Sequence, residues 1–228
     1  MRPSTFASSL IAAAFLSASA TAADLKKGID AFVEGNRVTA WHELLPLAKR
    51  GDAIAQYHVG IMYAHGFGTE RDPVEAKYWL EQAAAKGNPD AMFSLGFESY
   101  QQGDYAGALR LLTPAAERGV PVAQYHLARM YRLGLGVPVD LARAESWALR
   151  AARQDVEAAQ FELGELYGRG ASGPPDLIRS YIWFFVADAR RYPGAAENLE
   201  ALAKIMAQAD VDSARRQALE ILSRRPGN

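Results

Sequence analysis

The chain has 228 residues, half of them hydrophobic, with 25 Lys and Arg against 26 Asp and Glu for a net charge of −1. That balance argues against nucleic-acid binding, which needs a clustered positive surface. The absence of cysteine rules out disulfides, cysteine–zinc sites, thiol catalysis and a lipoprotein anchor.

Residues 1–22 read as an export signal rather than part of the fold. Arg2 supplies a positive start, Phe6 to Leu16 an apolar stretch, and Ala20-Thr21-Ala22 a small-x-small cleavage site. The stretch is far shorter than the ~20 residues needed to span a bilayer. The expectation is a soluble mature chain beginning at Ala23, periplasmic or secreted, with no membrane insertion. Beyond it, periodicity predicts helices over 24–34, 37–50, 53–65, 73–86, 89–102, 105–118, 121–133, 141–153, 157–168 and 177–190. Tyr192-Pro193-Gly194 breaks this array, and two more helices follow near 195–208 and 211–224. Leu199, Leu202, Ile205 and Met206 mark the apolar side of the first, and Val211, Ala218, Leu219 and Leu222 that of the second. Arg215, Arg216, Arg224 and Arg225 lie among the polar positions of the last helix. The domains are thus a leader (1–22), an array (23–190) and a capping helix pair with a polar outer face (191–228).

Three columns of residues recur through the array. Gly28, Gly60, Gly96, Ala128 and Gly164 fall at intervals of 32, 36, 32 and 36. Ala40, Ala76, Ala108, Ala144 and Ser180 form the second column, preceded by four residues in every case by Asn36, Asp72, Asp104, Asp140 and Asp176. A small residue in the first column lets one helix of a hairpin press against the other. The Asn and Asp column N-caps the second helix, and Pro73 suits a first helical position. Val59, Leu95, Leu127 and Leu163, with Tyr63, Tyr131 and Tyr167 four residues on, give a core-facing stripe. The Gly-x-Gly loops Gly66-Phe67-Gly68 and Gly134-Leu135-Gly136 occur in the long units only, where Gly66 and Gly134 accept a left-handed cap. Short and long units therefore alternate, and a shift of 68 residues overlays the second repeat on the fourth.

The motif Ala55-Gln56-Tyr57-His58-Val59-Gly60, matched by Ala123-Gln124-Tyr125-His126-Leu127-Ala128 and by Ala159-Gln160-Phe161-Glu162-Leu163-Gly164, resembles the Sel1-like repeat, a relative of the tetratricopeptide repeat. The Ala-x-x-Trp and Ala-Ala motifs that follow (Ala76 to Trp79 with Ala84-Ala85; Ala144 to Trp147 with Ala151-Ala152) strengthen it over about residues 53 to 190. The resemblance implies an all-α, right-handed α/α solenoid of about five hairpins closed by the C-terminal pair. It implies an adaptor or regulator that binds another protein or peptide, with no catalysis and no cofactor.

Other chemistry is poorly represented. The Gly-x-Gly loops follow helices, lack a third glycine and have no P-loop lysine, so they read as caps and turns. His58 and His126 share a helical position but Ser94 lies between them, so no metal site is expected; His42 and His65 have no evident partner. Glu98, Glu162 and Glu165 read as a solvated helix face. No serine sits in a nucleophile elbow. Two other readings remain: an exported hydrolase of the β-lactamase-like type, whose relatives' paired cysteines are missing here, and a structural spacer.

The surface offered is the face of the first helix of each hairpin, which lines the concave groove in related solenoids. The regular aromatic column Tyr57, Phe93, Tyr125 and Phe161 suits packing between repeats. Phe97, Tyr100, Arg129 and Arg132 break the repeat pattern where Ile61 and Ala64 stand in the second repeat, and they are the candidate partner-binding residues. An aromatic pair beside an arginine pair suits a peptide with an apolar anchor and an acidic neighbour.

Overall fold

A computed structural model describes residues 22–171 and 173–223. The expected leader, apart from Ala22, and Arg224 and Arg225 lie outside the described residues. Every regular element among the described residues is an α-helix. These are α1 (22–33), α2 (Arg37–Lys49), α3 (Ala53–His65), α4 (Pro73–Ala85), α5 (Pro89–Gln101) and α6 (Tyr105–Glu117). They continue with α7 (Pro121–Leu133), α8 (Leu141–Ala152), α9 (Glu157–Arg169), α10 (Leu177–Ala189), α11 (Ala195–Ile205) and α12 (Gln208–Ser223). Two compact units divide the chain, Met1–Leu95 and Gly96–Asn228, with the division inside α5.

In the first unit the columns have the expected physical roles. Asn36 Oδ1 accepts the Thr39 N–H at 3.2 Å, and Asp72 Oδ1 accepts from Val74 and Glu75 at 2.9 and 3.1 Å. Ala40 and Ala76 are buried, and Gly28 and Gly60 lie where the helices of a hairpin touch. A Cβ on Gly60 would stand 2.9 Å from Leu80 Cγ and 3.2 Å from the Ala76 carbonyl oxygen. Gly60→Leu should therefore destabilise the protein by about 1–3 kcal/mol or more through overpacking. A thermal melt as high as the parent's would refute this register.

The two glycines of each Gly-x-Gly loop do different work. Gly66 ends α3 in the left-handed region at φ 71°, donating its N–H to Met62 O as a helix cap. Gly68, also left-handed at φ 74°, leaves no room for a side chain, because a Cβ would run into the Arg37 carbonyl oxygen at the start of α2. The loop thus lies against the preceding hairpin and brings Phe67 under the Arg37 guanidinium, 4.0 Å from the ring centroid. The cap is legible in the sequence; the contact with the preceding hairpin is not.

The second unit repeats these devices. Asp104, Asp140 and Asp176 cap α6, α8 and α10, each accepting a backbone N–H at 2.9 Å. Ala108, Ala144 and Ser180 are buried, and Ser180 Oγ donates to the Gly164 carbonyl at 2.7 Å. Gly136 approaches Tyr105 as Gly68 approaches Arg37. Buried glutamines add a tie that periodicity alone does not explain. Gln124 and Gln160 donate to the carbonyls of Ala116 and Ala152 near the end of the preceding helix, and Gln56 does the same to Ala48 in the first unit.

The terminal pair differs from expectation in its start and in the placing of Leu219 and Ile205. α12 begins at Gln208 rather than near 211, and it buries Val211, Ala214 and Ala218, with Ile221 and Leu222 packed alongside. Leu219 falls on the outer side, 55% exposed, and Ile205 at the end of α11 is 69% exposed. Leu199, Leu202 and Met206 pack against the core as expected. Arg215 Nε donates to the Tyr181 hydroxyl at 3.0 Å.

Candidate partner-binding site

Phe97, Tyr100, Arg129 and Arg132 all lie in the second unit, the first two on α5 and the others on α7. Three of them gather around His126, a residue that the sequence brings forward only through the helical position it shares with His58. Its ring, 8% exposed, lies 4.9 Å from the Phe97 ring, 5.1 Å from Tyr100 and 5.2 Å from Tyr125, centroid to centroid. Phe97 and Tyr100 stack on each other at 6.4 Å with an interplanar angle of 11°. Arg129 reaches over the Tyr125 ring, its Cζ 5.9 Å from the centroid. Phe97, Tyr100, Tyr125 and Arg129 are each half-buried, so they present part of their surface to solvent. Burial first, and the Arg129 charge second, hold the His126 pKa down to about 4.

Arg132 has a different role. Its guanidinium is ion-paired with Glu162 on α9 through Nε and lies 3.6 Å from a Glu165 oxygen. The arginine side chain is 14% exposed and that of Glu162 5%. Glu162 is therefore buried, contrary to the expectation of a solvated helix face; Glu165 is half-buried and also meets Arg169. Burial pushes the Glu162 carboxyl upward, against the pull of the Arg132 hydrogen bond. A signal was available: Glu162 stands 36 residues after His126 at the same helical position, and both are buried.

The first unit carries a related nest. Shifting by 68 residues takes Ile29, Phe32, Tyr57, His58 and Ile61 onto Phe97, Tyr100, Tyr125, His126 and Arg129. Phe32 meets the His58 ring edge at 4.9 Å and Tyr57 lies 5.2 Å from it. Burial lowers the His58 pKa, as it does for His126, but the charge nearby is Asp90, which opposes the shift. The two histidine nests share two of their aromatic positions, Ile29 standing where the second has Phe97, and they differ in the sign of the local charge.

Of the regular column in the second unit, Phe161 packs as expected, its ring 5.1 Å from Phe184 and 5.0 Å from Tyr192, whereas Tyr125 also borders the cluster around His126. Cavities of about 550 and 410 Å³ open elsewhere in this unit, one beside Tyr167, Ile178 and Met206, the other beside Trp183, Gln160 and Leu222. None of the four candidate residues lines either, and among the described residues neither lining includes a histidine, serine or lysine. Among the described residues no three His, Asp or Glu side chains converge as a metal site, and no helix is long and apolar enough to cross a membrane.

The Sel1 repeat family model matches residues 53–88, 89–120, 121–156 and 157–187. Among curated proteins the chain is 32% identical over 91 residues to a putative sel1-like repeat-containing protein L21 of Acanthamoeba polyphaga mimivirus, covering 40% of this chain and 17% of that protein. It is 37% identical over 67 residues, 29% of its length, to an exopolysaccharide production negative regulator of Rhizobium leguminosarum bv. viciae, of which it covers 25%. The chain thus spans a quarter or less of the length of these relatives. Among solved structures, a Sel1 repeat protein from Oxalobacter formigenes superposes with a TM-score of 0.66 at 33% identity, over 73% of this chain and 50% of that one. A protective antigen of uropathogenic Escherichia coli, c5321, shares the fold with a TM-score of 0.56 at 22% identity, over 81% of this chain and 48% of that one. The matched segments begin at α3, so the α1–α2 hairpin, which carries the same Gly28, Asn36 and Ala40 columns, extends the array beyond them. With matched repeats over more than half its length and the all-helical solenoid fold of these neighbours, the chain belongs to the Sel1 repeat family, whose repeats commonly serve as protein–protein interaction modules.

Proposed function

We infer that the protein is an exported, non-catalytic adaptor or regulator that binds a protein or peptide on the face carrying Phe97, Tyr100 and Arg129. The observation that carries this reading is the half-buried aromatic and arginine cluster around His126, of the residue types that dominate binding hot spots. Regulation rather than chemistry is also in keeping with the name of the Rhizobium relative. Arg132, ion-paired with Glu162, supports the face from beneath rather than meeting the partner.

The test is a dissociation of binding from stability. Phe97→Ala should lose at least ~2 kcal/mol of binding, about thirtyfold in affinity, in pull-downs from envelope extract followed by titration of the captured partner. Its melting temperature should stay close to the parent's, because the ring is half-buried at the surface. A folded Phe97→Ala/Tyr100→Ala/Arg129→Ala variant that captures the partner at parental affinity would place the contact elsewhere.

Export is tested separately. The Ala20-Thr21-Ala22 sequence leads us to expect a mature N-terminus at Ala23 in protein recovered outside the cytoplasm. Mass spectrometry finding Met1 retained there would overturn both cleavage and localisation.

A further inference from the structure

Arg129 and Arg132 are three residues apart on α7, yet only one has its charge balanced. Arg132 is neutralised by Glu162 and Glu165, which in turn meets Arg169. For Arg129, no carboxylate among the described residues comes within ion-pair distance; its neighbours are the Tyr125 ring and the Tyr100 side of the cluster. Glu162 acts on it only from farther off, and that carboxylate is already held by Arg132. A half-buried guanidinium beside an aromatic ring offers a planar fork of donors, which suits a bidentate acceptor. The charge is also felt locally, since it contributes to keeping His126 neutral. The equivalent position in the first unit is Ile61, and the charge near that histidine is the acidic Asp90. The positive charge is therefore particular to the nest on α5 and α7.

We propose that Arg129 is the specificity-determining residue of this face, taking an aspartate or glutamate carboxylate from an acidic segment of a protein partner while an adjacent apolar side chain of that segment rests on Phe97 and Tyr100. This rests on the reading of the face as a binding surface and adds the charge of what it binds. It also corrects the expectation of an arginine pair: a single arginine recognises the acid, and Arg132 positions the helix through Glu162.

A random dodecapeptide library displayed on phage, selected on the full chain, supplies the probe. The selected peptides should carry Asp or Glu beside an aliphatic or aromatic residue. A synthetic copy of the strongest should lose at least about thirtyfold in affinity on Arg129→Gln and a similar factor on Phe97→Ala. It should be almost unaffected by Arg169→Gln, an equal change of charge at an exposed site. Parental affinity should also fall as salt is raised, a measurement that does not depend on any variant folding. Peptides without acidic residues, or affinity retained in Arg129→Gln but lost in Phe97→Ala, would overturn the carboxylate inference and leave the binding face standing. Affinity retained in both variants, or no peptide enriched at all, would count against both.

Discussion

Arg132→Ala should be among the most damaging single changes in the protein, lowering stability by about 3–5 kcal/mol. The loss comes from what is left behind rather than from the ion pair's own strength. Bringing Arg132 and Glu162 together out of water gains little against two well-packed apolar side chains, because desolvation offsets most of the attraction. Removing only the arginine strands the Glu162 carboxylate, 5% exposed, with Glu165 as a neighbouring like charge. Chemical denaturation of the variant should show the drop in midpoint. Burial already pushes the Glu162 carboxyl upward, so without Arg132 it should take up a proton readily, and the loss should shrink as the pH falls from 8 to 5. Replacing both partners, as Arg132→Met with Glu162→Leu, should recover most of the lost stability. A single variant within about 0.5 kcal/mol of the parent would mean that the pair is solvated and α7 does not depend on it.

This pair shows where reading the sequence stops. Columns at intervals of 32 and 36 residues reveal which positions repeat, and repeating positions are enough to locate the hairpins, the Asn36 and Asp72 caps and the Gly60 contact. Such roles are local or recur identically, so one copy explains the others. Arg132 and Glu162 are 30 residues apart and appear once, each at a position occupied by something else in the other repeats. No period announces a contact that is not periodic. Gly68 is an intermediate case: its recurrence as Gly136 is visible, but its reason lies in the backbone of the preceding hairpin. The terminal pair departs from expectation for a simpler cause. Val211, Ala214 and Ala218 are three and four residues apart and form the buried stripe, whereas Leu219, one residue on from Ala218 and so about 100° round the helix, falls outside it.

The candidate site is legible in composition and less so in role. Phe97, Tyr100 and Arg129 do come together, because Phe97 and Tyr100, three apart on α5, share a face that meets His126 on α7, where Tyr125 and Arg129 stand four apart. What organises them is His126, which in the sequence is indistinguishable from a buried core histidine. Its role depends on Tyr100 from α5 and Tyr125 from α7 closing over it.

His126 should make the protein sensitive to mild acid. In the unfolded chain its imidazole takes a proton near the ordinary 6.5, whereas in the fold this is delayed to about 4. Between those values the unfolded state binds more protons, so stability is complete above pH 6.5 and is lost as the pH falls towards 4. At about 1.4 kcal/mol per pH unit between the two values, the loss over the window is roughly 3 kcal/mol, a large fraction of a typical domain's stability. Carboxylates titrate in the lower part of the same range, so the comparison needed is parent against His126→Gln, which keeps a polar side chain and does not titrate. The stability difference between the two should move in favour of the variant by that amount from pH 7 to 4. The ring's own titration, followed by NMR, should rise in Arg129→Gln, because removing the nearby positive charge leaves burial as the remaining cause. An imidazole that titrates near 6.5 in the folded protein would mean that the cluster stands open to water. The aromatic face would then be a loose surface rather than the preorganised one on which carboxylate recognition by Arg129 depends.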